Sequence, residues 1–304
     1  MTVTITASSK GSLTLNTPVM NAAGVFGYGD EYRDLVQIDK LGAIVTNPVT
    51  YAAWNPASGT RVIPLDAGVL VHTGLPNPGV SKVISAHRNL WSRLPVPLIL
   101  HIIPLNADDS RRFAERIDEE ECIAGIEVGI NDEVSVVEAA RQIKALVEST
   151  EKPVLARLPF GVGADYARSI VDAGAGGLVV SAPPRGTARD SGGRLVSGRL
   201  YGALVKPMTL RLVGYLARRV DIPVIGAGGI HTPEDARDYL EAGAVAVQVD
   251  SVVWINPKAI ELIARDLGGL VVTQPTGALP DEWYPGMGET ALQRRIDAPS
   301  EDTP

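Results

Sequence analysis

The sequence is poor in the residue types that mark several protein classes. Its single cysteine, Cys122, excludes an intramolecular disulfide and a cysteine-ligated iron–sulphur cluster within this chain. Acidic residues outnumber basic ones by 35 to 28, and no basic cluster alternates with aromatic residues, so we expect no nucleic-acid partner. No apolar run is long enough to cross a bilayer and the first residues show no signal-peptide pattern. We therefore expect no membrane association and a cytoplasmic location.

The sequence is characterised by a high content of apolar residues and by an internal repeat. Apolar residues make up 45% of the 304 positions, which suffices for one large core. Lys152–Ala156 resembles Ile222–Gly226, and Asp172–Gly176 resembles Glu241–Val245. Both pairs are offset by roughly 70 residues, the length of two ordinary strand–helix units. The repeat predicts an α/β fold of the (β/α)8 TIM-barrel type.

Continuous apolar runs predict the eight barrel strands, because strands covered on both faces show no polar alternation. These runs lie near Val19–Ala22, Ala43–Thr46, Leu98–Ile102, Gly125–Gly129, Val154–Leu158, Gly177–Ser181, Val224–Gly226 and Ala246–Val249. Helices are predicted between most of them, over Asp109–Ile117, Glu133–Glu148, Ala164–Ala173, Val205–Arg219 and Pro233–Ala242.

The predicted barrel is one domain, residues 1–270, and it begins with a β-hairpin whose arms are Val3–Thr6 and Leu13–Leu15. Residues 271–304 are predicted to be a polar, proline-rich extension that is partly disordered. The segment Tyr51–Gly79 is rich in glycine and proline and has no helical period. Long loops after barrel strands usually build the active-site face, so we expect this segment to be functional.

A glycine turn after the seventh predicted strand indicates an anion site. The run Ile222–Ile230 passes from apolar residues into Gly228 and Gly229, and Thr232–Asp235 then carries the features of a helix start. Backbone N–H groups at such a turn can surround a phosphate. The late strands of TIM barrels commonly hold one.

With these elements in order, the chain resembles the dihydroorotate dehydrogenase family, closest to its class 1 branch. The resemblance spans roughly residues 11–265 and is carried by the stretches Asn21–Tyr32, Gly74–Gly79, Gly198–Pro207 and Gly226–Ile230. It implies a barrel that binds FMN at its mouth. It further implies hydride transfer from dihydroorotate to the flavin, with a cysteine or serine base. Class 1 relatives form homodimers, and some pair with an electron-transfer subunit.

The chain departs from the family's pattern at residues that would contact flavin or substrate. Asp132 stands where class 1 members have the cysteine base, and Gly129 replaces an asparagine. Other family side chains with hydrogen-bonding roles are replaced at Asn47, Val71, Ala182 and Tyr201. A site built for such bonds loses on the order of several kcal/mol without them, so we do not expect dihydroorotate to be the substrate.

The resemblance also assigns site residues. The flavin would lie against Ala22, Ala23, Gly24, Asn47 and Gly202, with its phosphate at Gly228, Gly229, Asp250 and Ser251. Arg157, in place of the family's fifth-strand lysine, would face the polar edge of the flavin, and Asp132 is the candidate base. His101 lies near the end of the third strand and could join them as an acid–base group, although a histidine buried in the core is the competing interpretation.

Three functions follow from these residues. The first is an FMN oxidoreductase that acts on a CH–CH bond of a substrate other than dihydroorotate. The second is a non-catalytic descendant that binds a partner chain. The third is a flavin-free lyase or isomerase that uses His101, Asp132 and Arg157 on an anionic substrate. A small anionic or pyrimidine-like substrate, a homodimer and an electron-transfer subunit are the expected partners, and no residue spacing predicts a metal site.

Overall fold

Strands and helices alternate along the chain, and the computed structural model describes residues 2–7 and 10–268. The strands are β1 (Val3–Thr4), β2 (Thr14–Leu15), β3 (Val19–Asn21), β4 (Ile44–Val45), β5 (Val62–Leu65), β6 (Gly68–Val71), β7 (Leu98–Ile102), β8 (Gly125–Gly129), β9 (Val154–Arg157), β10 (Gly177–Val180), β11 (Arg185–Arg189), β12 (Leu195–Tyr201), β13 (Val224–Ala227) and β14 (Ala246–Val249). The α-helices are α1 (Val80–Trp91), α2 (Ala107–Asp118), α3 (Val136–Ser149), α4 (Ala164–Asp172), α5 (Lys206–Leu216), α6 (Pro233–Glu241), α7 (Val252–Ile255) and α8 (Ala259–Leu267).

Eight of these strands form a parallel barrel. Their order is β3-β14-β13-β10-β9-β8-β7-β4, and a parallel bridge between Met20 and Ala43 joins the first strand to the last. The predicted (β/α)8 barrel is therefore confirmed. The strands predicted over Leu98–Ile102, Gly125–Gly129 and Ala246–Val249 have those same bounds in the structure.

The barrel has an inner and an outer core. Met20, Val45 and Ile99 belong to a small cluster inside the barrel, whereas a larger apolar layer lies between the strands and the surrounding helices. The N-terminal hairpin is present as β1 and β2, and its residues Ile5 and Leu15 pack into the inner cluster. The hairpin thus closes the end of the barrel opposite to the carboxyl ends of the strands.

A second sheet, which the sequence did not predict, lies at the carboxyl ends of the strands. It is antiparallel, in the order β11-β12-β6-β5. Two of its strands come from Tyr51–Gly79, which was predicted to be a loop, and the other two come from residues 185–201. Val69, Leu70 and Val71 pair with the end of β12, which joins the two segments into one structure. This sheet positions several side chains over the barrel mouth.

Helix α6 begins as predicted. Thr232 is the N-cap and Pro233 occupies the first turn, and the Thr232 and Asp235 side chains form a reciprocal capping box. Helices α1 and α8 were not predicted.

Among the residues that the structure describes, no helix has the length and apolar character needed to span a membrane. The predicted extension at residues 271–304 lies outside the described residues.

Candidate functional site

A cavity of about 350 Å³ opens at the carboxyl ends of the barrel strands. This is where the active sites of TIM-barrel enzymes lie, and the volume is within the range of small-molecule sites. Four residues predicted from the sequence line it, namely Ala23, His101, Asp132 and Arg157. The second sheet contributes Arg185, Arg199 and Tyr201 to the wall. The structure therefore brings the three proposed acid–base residues to one cavity.

His101 is held by a carboxylate that the sequence analysis did not select. The His101 Nδ1 atom lies 2.8 Å from Oε1 of Glu127, and both side chains are buried. Burial alone would raise the pKa of Glu127, but the His101 contact, Arg157 and Gln248 outweigh it and lower that pKa well below its ordinary range. An ionised carboxylate only accepts hydrogen bonds, so Nδ1 of His101 is the donor. The Nε2 atom is then the one available to a ligand.

Gly129 makes room for this imidazole. A Cβ atom at position 129 would lie 2.6 Å from His101 Nε2 and 2.4 Å from Ile103 Cδ1, both closer than van der Waals contact allows. Gly129 and His101 both line the cavity. The Nε2 side of the imidazole therefore faces the space next to Gly129, at the cavity wall.

Arg157 is fixed by the same buried network. Its Nη1 donates to Gln248 Oε1 at 2.6 Å and lies 3.4 Å from Glu127 Oε1. Gln248 Nε2 in turn donates to Glu127 Oε2 at 2.5 Å. Every member is paired, which is the condition under which a buried polar network stabilises a single arrangement. Glu127 could have been found in the sequence, because it is the one charged residue inside the apolar run Gly125–Gly129.

Asp132, the predicted base, is bound by two arginines of the second sheet. Its Oδ2 lies 2.7 Å from Arg199 Nη2 and 3.6 Å from Arg185 Nε, and Oδ1 accepts from Arg199 Nη1 at 3.1 Å. The planar guanidinium of Arg199 thus meets both oxygens of the Asp132 carboxylate. The geometry gives Asp132 the role of positioning Arg199 at the cavity wall.

The charged side chains of the cavity wall favour an anionic ligand. Arg157, Arg185 and Arg199 line the cavity together with one carboxylate, that of Asp132. Arg157 is also paired with Glu127 beneath the wall, and Arg185 with Glu133. Arginine binds carboxylates and phosphates through paired N–H groups, and a cavity with one dominant sign of charge raises the local concentration of the opposite ion.

The residues assigned to the flavin ring follow the carboxyl ends of β3, β4 and β12. Ala22 is buried and donates its backbone N–H to Val249, while Gly24 and Gly202 have positive φ angles of 86° and 132°. The backbone N–H of Asn47 donates to Gly27 at 2.6 Å. The buried Oδ1 atom of Asn47 has no hydrogen-bond partner among the described residues.

The residues assigned to the phosphate are bonded to a carboxylate of the chain itself. Asp250 is buried, and its Oδ1 accepts from the Ser251 N–H at 2.6 Å and from the Ser251 hydroxyl at 3.1 Å. Its Oδ2 lies 3.4 Å from the N–H of Gly229. The carbonyl of Gly228 accepts from the Tyr239 hydroxyl at 2.7 Å. None of these residues assigned to the phosphate lines the cavity in the described part of the chain.

Tyr201 lines the cavity and also packs against α7, the helix that follows Ser251. Its ring packs edge-on against Trp254, with centroids 5.0 Å apart. The pKa of Tyr201 is raised, mainly by burial; Arg157 and Arg199 act to lower it and Asp250 acts to raise it. The Tyr201 phenol is thus within electrostatic range of Arg157 at the cavity wall and of Asp250 beside the phosphate turn.

The residues of the phosphate turn do not fit the phosphate of FMN in this arrangement. A phosphate would have to displace the Asp250 side chain from the N–H groups that it already occupies. The residues assigned to the flavin ring, which include Arg157 and Asn47 with its unpaired Oδ1 atom, conflict less with FMN than the phosphate turn does.

No group of three or more potential metal ligands occurs among residues 2–7 and 10–268.

Comparison with known proteins gives consistent relatives. The family model described as "Dihydroorotate dehydrogenase" matches residues 7–271. The catalytic subunit of dihydroorotate dehydrogenase B (NAD(+)) from Geotalea uraniireducens is 34% identical over 272 residues, which are 83% of this chain and 88% of the relative. The subunits of that name from Pelobacter propionicus and Trichlorobacter lovleyi are each 33% identical, over 84% of this chain and 90% of the relative.

Proposed function

The chain belongs to the dihydroorotate dehydrogenase family, and we propose that it is a member that works without FMN. In this proposal it binds a small carboxylate at the barrel mouth and transfers a proton with His101. The observation that carries the proposal is the hydrogen bond between His101 and Glu127. His101 lines a cavity whose wall also contains three arginines. The proposed reaction is an isomerisation, in which a proton is removed from the ligand and returned to it at another position.

The ligand would be recognised by its negative charge. Arg199 is placed at the wall by Asp132, and Arg157 is held by Gln248 and Glu127. Both side chains are therefore ordered before a ligand binds, which lowers the entropic cost of binding. The cavity volume of about 350 Å³ accommodates a small organic acid.

Proton transfer would begin at a carbon next to the carboxylate or a carbonyl group of the bound ligand. The C–H bond breaks, its proton moves to Nε2 of His101, and its electron pair is delocalised onto oxygen atoms next to a guanidinium group. Glu127 stabilises the imidazolium that forms, through the Nδ1 hydrogen bond at 2.8 Å. Return of the proton to the other face of that carbon, or to a neighbouring carbon, completes an isomerisation with no net oxidation.

Hydrogen exchange tests this proposal without knowledge of the full reaction. Purified protein is incubated in D2O with a panel of small carboxylates that carry an acidic C–H bond, and loss of each C–H proton is followed by NMR. We expect enzyme-dependent exchange for at least one acid. His101→Asn should reduce it by about 10²-fold or more, the typical contribution of a general base.

Two controls separate catalysis from binding and from folding. His87→Asn changes a histidine of α1 that packs on Tyr28 and Trp91, away from the cavity wall, and should leave exchange unchanged. Thermal-shift measurements with the same acids report binding. Acids that bind without any exchange, or exchange that survives His101→Asn, would contradict the proton-transfer role.

A second candidate is an FMN oxidoreductase that acts on a CH–CH bond of a substrate other than dihydroorotate. It is supported by the relatives, which are named as dihydroorotate dehydrogenase subunits, and by the buried unpaired oxygen of Asn47, which could accept a hydrogen bond from a flavin. The absorption spectrum of the purified protein distinguishes the candidates, because bound flavin is coloured.

A partner is also part of the proposal. The relatives are named catalytic subunits, so we propose that this chain binds a second subunit or a second copy of itself. Light scattering of the purified chain reports the homodimer, and co-purification with an electron-transfer subunit tests the mixed assembly.

A further inference from the structure

The phosphate turn is built by two glycines whose backbone conformation suits few other residues. Gly228 and Gly229 have φ angles of 124° and 68°, and a Cβ at Gly229 would lie 2.5 Å from the backbone N of Lys206. The turn leads into α6, which begins at Pro233. Turns of this shape direct backbone N–H groups towards a bound anion.

Carboxylates of the chain already use these donors. Asp250 accepts from the N–H groups of Gly229 and Ser251 and from the Ser251 hydroxyl. Asp235 Oδ2 accepts from the N–H groups of His231 and Thr232, at 2.8 Å each. Asp250 thus uses N–H groups of the residues assigned to the phosphate, while the Asp235 bonds belong to the capping box of α6.

The basic side chains beside the turn are engaged as well. Lys206 Nζ lies 2.5 Å from Asp235 Oδ1 and 2.6 Å from Asp238 Oδ2. His231 Nε2 lies 3.4 Å from the Ser251 hydroxyl. Both of these basic side chains therefore already have partners within the chain.

We infer that the Asp250 carboxylate is a built-in substitute for a phosphate group, and that it keeps the ancestral phosphate site of this chain closed. Carboxylate and phosphate oxygens accept the same backbone N–H bonds, so the substitution preserves the shape of the turn while it excludes phosphate monoesters. Removing the side chain should reopen the site, because the N–H groups of positions 229, 250 and 251 belong to the backbone and are retained. This inference is independent of the proton transfer proposed at the cavity.

The test compares Asp250→Gly with the wild-type protein, using inorganic phosphate as the first probe. Phosphate is small, so Tyr201 does not obstruct it. Calorimetry or phosphorus NMR should show at least a tenfold gain in phosphate affinity for the variant. Asp221→Gly is the matched control: it removes the same charge from an exposed position just before β13, at the opposite end of the strand, and should bind phosphate as the wild type does.

FMN and riboflavin form the second pair of probes, because they differ only in the phosphate. The wild type should bind FMN no more tightly than riboflavin, since its turn offers nothing to the phosphate. Asp250→Gly, combined with Tyr201→Ser to open the path between the two sites, should prefer FMN by at least tenfold. This preference separates binding at the phosphate turn from ring binding in the cavity.

Several results would overturn the inference. Wild-type protein that prefers FMN over riboflavin would show that the turn accepts phosphate with Asp250 in place, and this measurement needs no variant to fold. Folded Asp250→Gly or Asp250→Ala, verified by circular dichroism, that binds phosphate no better than Asp221→Gly would show that Asp250 is not what closes the turn.

Discussion

The imidazole of His101 lies in the space that a side chain at position 129 would occupy. A Cβ atom on Gly129 would be 2.6 Å from His101 Nε2. The hydrogen bond from Nδ1 to Glu127 holds the ring there. Gly129 at the end of β8 and His101 on the neighbouring strand β7 therefore form one arrangement. In it, the Nε2 atom of His101 faces the cavity.

Substituting Gly129 tests this arrangement. Gly129→Ala should destabilise the protein by about 1–3 kcal/mol, the usual cost of overpacking, because His101 and Ile103 must move. Urea unfolding gives the free energy. Gly163→Ala is the control, since nothing lies within 4 Å of a Cβ there. Equal stabilities of the two variants would show that the ring does not occupy the space next to position 129.

Glu127 should be needed for stability as well as for orientation. Glu127→Gln leaves the buried guanidinium of Arg157 without its counter-charge, and breaking such a pair costs about 3–5 kcal/mol. Glu121→Gln, at an exposed position, should change the unfolding free energy by less than about 0.5 kcal/mol. A loss below about 1 kcal/mol for Glu127→Gln, the size expected of a surface pair, would contradict the network described above.

The same variant predicts a pH dependence. The folded-state pKa of Glu127 is lowered to about 2, from an ordinary value of 4.5, by interactions that outweigh burial. Its ionised form therefore stabilises the fold fully above pH 4.5, and this contribution is lost as the pH falls towards 2. The stability difference between wild type and Glu127→Gln should be constant near neutral pH and shrink in acid. A difference that does not change with pH would contradict the shift.

Much of the fold could be predicted because strands of a buried parallel sheet consist of continuous apolar residues. Gly125–Gly129 and Ala246–Val249 were recognisable in this way. The capping residues Thr232 and Pro233 identified the start of α6 for an equally local reason. Each of these signals depends on neighbours in the chain rather than on distant contacts.

The second sheet and the buried network could not be predicted in the same way. Strands β6 and β12 are more than 120 residues apart, and their pairing depends on tertiary contacts. Glu127 looked like a single charge within a strand, and its role depends on His101, Arg157 and Gln248 from three other strands. The sequence placed Asp250 near the phosphate turn, but it did not reveal that the carboxylate faces into the turn.

The contact between Asp132 and Arg199 should be measurable by a double-mutant cycle. Asp132→Asn and Arg199→Gln should show a coupling energy of about 1 kcal/mol in urea unfolding, because the pair is close and partly buried. Arg185→Gln provides an internal comparison. It lies 3.6 Å from Asp132 and is more exposed, so its coupling to Asp132 should be smaller. Zero coupling for Arg199 would remove the argument that Asp132 positions it.

The capping box of α6 gives an independent check on the phosphate turn. Thr232→Ala removes the hydrogen bond from the Asp235 N–H and should cost about 1 kcal/mol of stability. Thr14→Ala, at an exposed strand position, is the comparison and should cost less. If Thr232→Ala were as stable as Thr14→Ala, the helix start would not be held as described.

We expect this family member to hold no flavin, and the visible absorption spectrum of the freshly purified protein tests this expectation most directly. The spectrum is recorded before and after incubation with excess FMN and gel filtration. The occupied turn at Gly229 and Asp250 predicts a colourless protein that does not retain added FMN. A flavin spectrum that co-elutes with the protein would contradict the account and favour the FMN oxidoreductase.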